Sequence, residues 1–146
     1  MIIAIDFDGT CVTHEFPKVG REIGAAPVLR ELVKNGHQLV LFTMRSNVEN
    51  PQVFGKDKDH LLDNVPSGNY LDDAVNWFKE NGIELYGIQS NPTQHTWTTS
   101  PKAYAQLYID DAALGCPLRH SVTISNRPFV DWVEVTKMLK LYGILP

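Results

Sequence analysis

The chain alternates short apolar runs with stretches of helical periodicity. Residues 1–5, MIIAI, are apolar without a break and stop at Asp6. A short isoleucine-rich run of this kind predicts a buried strand. Residues 25–35 carry Val28, Leu29, Leu32 and Val33 at helical spacing, with Pro27 in the first turn and Gly36 behind them, which predicts a helix. Residues 38–42 are the next apolar run, ending at Thr43. A helix of about a dozen residues between two short apolar strands is a βαβ unit, with parallel strands and a right-handed crossover.

The same pattern continues toward the C-terminus. Leu71, Ala74, Val75 and Phe78, widened by Trp77 and followed by Gly82, predict a second helix. Residues 83–88, 105–109 and 121–124 read as the third, fourth and a short fifth strand. Residues 130–142, with Val133, Met138, Leu139 and Leu141, read as a closing helix. Between these elements lie three polar segments. Residues 11–24, with Pro17, Gly20 and Gly24, predict a flap-like loop or small hairpin. Its His14, Lys18 and Arg21 could face a substrate, although loop charges of this kind are more often solvated. Residues 45–69 form a long irregular piece in which only Leu61 and Leu62 suggest a helical turn. It leaves the C-terminal end of the second strand, the edge where open α/β sheets bind ligands, and reads as a small lid. Residues 91–102 show no helical period. His95 and Trp97 there could line a pocket, but a tryptophan more often covers core. The expected architecture is one α/β domain over residues 1–146, a single Rossmann-like open sheet, mainly parallel and flanked by helices, with no large cap domain.

Each strand end carries chemistry. Asp6 and Asp8 follow the first strand in DFDGT, Thr43 ends the second, and Asp110 and Asp111 end the fourth. On its own the DxD pair also reads as a solvated turn. Carboxylates gathered on one sheet edge repel one another and favour a divalent cation with a taste for oxygen ligands, for which magnesium is the expected cofactor. Other metal and phosphate patterns fail on spacing. An EF-hand loop needs glycine at its sixth position and glutamate at its twelfth, whereas here Gly9 is fourth and Pro17 twelfth. No GxxxxGK[ST] and no HExxH occur.

DFDGT at residues 6–10, LFTM at 41–44 and YIDD at 108–111 resemble the first, second and fourth motifs of the haloacid dehalogenase superfamily, in the family's order. Lys102 is the candidate for the third, and the resemblance spans nearly the whole chain. It implies a magnesium-dependent phosphomonoester hydrolase of the small, capless branch. In such an enzyme Asp6 would attack phosphorus and become an aspartyl phosphate. Asp8 would protonate the leaving oxygen and then activate water. Magnesium would be held by Asp6, the Asp8 carbonyl and Asp110, with Asp111 acting directly or through water. The Thr43 hydroxyl and nearby backbone amides would bind phosphoryl oxygens. The family's dehalogenase branch lacks the second aspartate, so Asp8 points to phosphoryl chemistry.

The third-motif lysine strains the pattern. Lys102 precedes Asp110 by eight residues, and a straight strand of that length would carry it roughly 26 Å from the site. Either residues 100–104 fold back, or Arg45 supplies the phosphate-facing charge. A non-enzymatic, receiver-like phosphate-responsive module is the alternative function. It fits less well, because a receiver's phosphorylated aspartate follows the third strand, where this chain has Ser90 and Asn91.

The formal net charge of −4 over 146 residues gives no general attraction for nucleic acid or anionic membrane. The expected partner is a small phosphorylated metabolite or the phosphorylated end of a larger molecule. Two cysteines without a CxxC pair, no signal-like N-terminus and no run near ~20 apolar residues lead us to expect a soluble, cytoplasmic protein with reduced thiols.

Overall fold

The computed structural model describes residues 1–49 and 66–146. The sheet is built from β1 (Ile2–Ile5), β2 (Gln38–Leu41), β5 (Gly87–Ile88) and β6 (Leu107–Ile109), in the order β5-β2-β1-β6 with every pair parallel. Helices α1 (Ala25–Lys34), α2 (Tyr70–Glu80) and α3 (Trp132–Leu141) flank it. Two short antiparallel pairs stand apart from the sheet. β3 (Asn47–Val48) pairs with β4 (Gly68–Asn69), and β7 (Leu118–Arg119) with β8 (Phe129–Val130). This is a small Rossmann-like α/β fold. No helix among the described residues is long and apolar enough to cross a membrane, and Cys11 and Cys116 are free thiols.

Side-chain alternation along the strands divides the two faces of the sheet. Ile3, Ile5, Leu39, Leu41 and Ile109 share one hydrophobic cluster with Leu29 and Leu32 of α1, Ala74 and Phe78 of α2, and Val135 and Leu139 of α3. Residues two apart on a strand share a face, so the helices cover the face of the odd-numbered strand residues. The opposite face, with Ala4 and Val40, is crossed by the segment that joins β5 on one edge to β6 on the other. That segment contains only a 3-10 turn, Gln94–Thr96. It is held by side chains instead of helical bonds. The Gln94 amide donates to the carbonyls of Ser100 and Lys102 and accepts from the Tyr104 amide, while Asn91 donates to the Tyr104 carbonyl.

The structure corrects several expected boundaries. The third strand is confined to Gly87–Ile88, since the Ile83 amide still bonds back to Phe78 at the end of α2. The fourth begins at Leu107. Residues 121–124 are a turn, with the Ile124 and Ser125 amides both on the Ser121 carbonyl, and the extended pairing lies at β7 and β8. Trp97 does not cover core. It is 62% exposed and packs edge-on against Tyr104. The flap is a small hairpin in part, since Val12 bridges Asp8 on one side and Glu22 on the other. Of the expected lid, β3 and β4 close the base, while Leu61 and Leu62 lie outside the described residues.

Candidate active site

Strand order decides where a site can form. From β1 the chain steps outward to β2 and β5, then returns across the sheet to β6 on the other side of β1. The crevice at the C-terminal ends of β1 and β6 is therefore a topological switch point, the usual ligand position in open α/β sheets. Ile5 pairs with Ile109, so the next residue on each strand is a carboxylate, Asp6 beside Asp110. Asp111 completes the group. One ligand oxygen from each of the three lies within 4.8 Å of the other two.

The loop after β1 is folded to aim these groups. The amides of Thr10, Cys11 and Val12 all point at the Phe7 carbonyl. The buried Thr10 hydroxyl donates to Asp6 Oδ2 at 2.8 Å and accepts the Asp111 amide at 3.1 Å, linking two of the acids. Trp132 of α3 donates its indole N–H to the Thr10 carbonyl, and the Val130 amide donates to the Gly9 carbonyl. Gly9 has φ +81°, and a Cβ there would collide with the His14 ring and lie 2.6 Å from Asp111 Oδ2. Both the left-handed backbone and the close approach require glycine.

Burial dominates the electrostatics of Asp6. It raises the carboxyl to about 7, against the lowering effect of hydrogen bonds from Thr10 and the Phe7 amide and with smaller help from the charges of Asp110 and Asp111. At Asp111 burial is again the largest influence and works upward, but the hydrogen bond and charge of His14, with a hydrogen bond to Asp6 and the charge of Arg127, together hold the carboxyl below its ordinary value. His14 Nε2 sits 2.7 Å from Asp111 Oδ2. His14 is thus no solvated loop residue; the flap delivers it into the acidic cluster.

Arg45 does not supply a phosphate-facing charge. It is 2% exposed and all five of its N–H groups are engaged. Nε and Nη2 hold Asp8 Oδ2 and Oδ1 at 2.7 and 2.8 Å. The rest bind the Pro17 and Lys18 carbonyls of the flap and the Tyr70 carbonyl at the start of α2. The guanidinium also lies over the Phe7 and Phe16 rings at 5.0 and 5.2 Å. Asp8 is buried enough to need such a partner, and Arg45 is the one that reaches it.

Lys102 lies on the segment that crosses to β6 and is placed against Tyr108. The segment before β6 folds back, with the Tyr108 hydroxyl donating to the Ala103 carbonyl and the Lys102 ammonium 5.7 Å from the Tyr108 ring centroid. Ala4 pairs with Tyr108, and alternation puts Ala4, Asp6, Tyr108 and Asp110 on one face. Lys102 lies over that face. Thr43 sits at the end of β2, where its hydroxyl accepts the Arg45 amide at 3.1 Å. Its own amide is bound by Gln89, so neither the Thr43 nor the Arg45 amide is free for a phosphoryl oxygen. Gln89 carries no sequence signal for this role.

No protein-family model and no curated protein matches the chain. Among solved structures it is similar to a conserved protein coded by a locus of Bacteroides thetaiotaomicron, with a TM-score of 0.67 and 30% identity over 97% of this chain and 91% of that one. On that identity and coverage, the chain belongs to the same family as this conserved Bacteroides protein.

Proposed function

We propose that the protein is a magnesium-dependent phosphomonoester hydrolase working through an aspartyl phosphate on Asp6, as its resemblance to the haloacid dehalogenase superfamily implies. The observation that carries the reading is the convergence of Asp6, Asp110 and Asp111 to within 4.8 Å at the switch point. An all-oxygen donor set of this kind suits a hard divalent cation. Asp6, Asp110 and Asp111 would hold magnesium, which when bound supplies positive charge to the transferring phosphoryl group.

The chain's own groups account for the rest. Thr10 fixes the Asp6 carboxylate so that it can attack phosphorus. The Thr43 hydroxyl and the Lys102 ammonium would neutralise the phosphoryl oxygens. Asp8 would give a proton to the leaving oxygen and take one from the water that hydrolyses the aspartyl phosphate. To do so it must release at least one of its hydrogen bonds to Arg45. That constraint favours the second reading, a receiver-like phosphate-responsive module, because a carboxylate with both oxygens bonded is poorly placed for proton transfer.

An aryl phosphate assay separates the two. Hydrolysis is expected with magnesium, lost on chelation, restored by readdition, and abolished in Asp6→Asn. Absence of turnover in the magnesium-loaded protein overturns the hydrolase. A single stoichiometric phosphorylation under the same conditions supports the module.

A further inference from the structure

We propose that the groove between α1 and α3 is a binding site for a small amphipathic oxyanion, a molecule with a hydrocarbon body and one anionic oxygen-bearing head. The site stands apart from the acidic cluster and does not depend on the proposed function. The groove encloses about 440 Å³, within the range of small-molecule sites, which are mostly apolar with a few polar groups that fix orientation. Its floor is Phe129 and Val130 of β8 and Trp132 of α3, all buried. Half-buried Ile23 and Val28 form the wall on the α1 side. The opposite wall is Val133, Thr136, Lys137 and Lys140, whose spacing puts them on one face of α3. From Val133 to Lys140 that face runs for roughly 10 Å, about the reach of an eight-carbon chain.

Charge identifies the occupant. The chain carries a formal net charge of −4, yet Arg119, Lys137 and Lys140 line this groove against a single carboxylate, Asp131. That carboxylate is already engaged, since it accepts the Val133 and Glu134 amides at the start of α3. Lys137 is paired with Glu134 at 2.6 Å. Arg119 and Lys140, both exposed, have no ion-pair partner among the described residues. Two uncompensated cations therefore border an apolar cavity. A neutral apolar ligand would leave them unused, and a small hydrophilic anion would gain nothing from Phe129 and Trp132. An amphipathic oxyanion uses both, with its head on the guanidinium and ammonium and its chain along the floor. The floor also reaches the acidic cluster. Trp132 donates its indole N–H to the Thr10 carbonyl at 2.7 Å, and Val130 donates its amide to the Gly9 carbonyl at 2.9 Å. A ligand seated on these two residues bears on the loop whose Thr10 hydroxyl holds Asp6 and the Asp111 amide.

Titration calorimetry of the full chain with octanoate and with octanesulfonate should show saturable binding, with octanol at least about tenfold weaker. Reversing both cations, in the double variant Arg119→Glu, Lys140→Glu, should weaken octanoate at least about tenfold. The unfolding midpoint should stay near that of wild type, because both side chains are exposed. In the wild type, octanoate should move the Trp132 indole N–H resonance and, behind it, the Thr10 amide, while the indole of Trp97 on the crossover stays in place. That measurement stands even if the double variant folds poorly. Octanol binding as tight as octanoate would reduce the groove to an apolar surface, and an unmoved Trp132 indole would put the ligand elsewhere; either overturns the proposal. Unchanged octanoate affinity in the folded double variant does the same. So does capture of the protein by anionic lipid vesicles without binding of free octanoate, which would assign the face to a membrane. A Thr10 amide unmoved at saturation overturns the link to the acidic cluster.

Discussion

Both oxygens of Asp8 are held by Arg45, Oδ2 by Nε at 2.7 Å and Oδ1 by Nη2 at 2.8 Å, across 37 residues of chain. The same guanidinium binds the flap and the first residue of α2. It therefore fastens the general acid/base candidate to two segments that border the site. Removing one partner of a buried pair leaves the other charge uncompensated, which costs about 3–5 kcal/mol. Arg45→Met should lower the unfolding midpoint by on the order of 10 °C. Arg45→Lys should recover little, because an ammonium cannot present the two-pronged fork. Midpoints within a degree or two of wild type would show that the pair is dispensable.

Lys102 should behave in the opposite way. Its side chain is exposed and lies over Tyr108 on the face that carries Asp6 and Asp110. Lys102→Ala is expected to unfold like wild type while losing about 10²–10³-fold in kcat/KM for an aryl phosphate, the usual effect of deleting a preorganised electrostatic donor. A variant with wild-type kinetics would mean that this charge is not used.

Gly9 and His14 test the flap's grip on the acidic cluster. Any side chain at residue 9 strains a backbone at φ +81° and pushes into His14 and Asp111. Gly9→Ala should therefore lose both stability and magnesium affinity. His14→Ala leaves the backbone alone and removes only the 2.7 Å contact to Asp111. It should weaken magnesium binding about 10–100-fold, as loss of a group that orients a ligand does, with little change in the metal-free midpoint. Magnesium titrations followed by thermal shift compare the two. Equal magnesium affinity in His14→Ala and wild type would show that the contact does not orient Asp111.

What was legible in the sequence is what short range encodes. The apolar runs at β1 and β2, the helical spacing of α1 and α2, and the carboxylates that follow the strands are all local patterns, and they fix the parallel βαβ frame. The pairing of β7 with β8 is silent in the sequence because it spans only two residues on each strand and β7 is exposed, so no alternation marks it. The exposure of Trp97 is equally silent, because its partner, Tyr104, lies on a crossover without helical period. Arg45 with Asp8, His14 with Asp111 and Gln89 with Thr43 join residues 37, 97 and 46 apart. Nothing in the local sequence of either partner announces such a contact. It follows from the parallel sheet, which brings the four loops after β1, β2, β5 and β6 to one edge.

The last prediction concerns protons and metal at Asp6. Its carboxyl is raised from 3.8 to about 7 in the folded protein, chiefly by burial. Between those values the folded state binds more protons than the unfolded chain, so its stability falls as pH rises through the window. Metal-free protein should thus be more stable near pH 5 than near pH 8, as far as Asp6 is concerned. Asp6→Asn removes a charge that the folded site accommodates badly. In chelator at pH 8 it should raise the unfolding midpoint, by up to several degrees for a gain of a few kcal/mol. At pH 5, where the wild-type carboxyl is already neutral, the gain should shrink. Magnesium reverses the order, because it requires the ionised group. Wild type should gain more from magnesium at pH 8 than at pH 6, with proton release on binding between them, while Asp6→Asn gains little at either. Calorimetry in buffers of different ionisation enthalpy reads the protons directly. A magnesium-induced shift that is independent of pH, or that persists in Asp6→Asn, would remove Asp6 from the metal site.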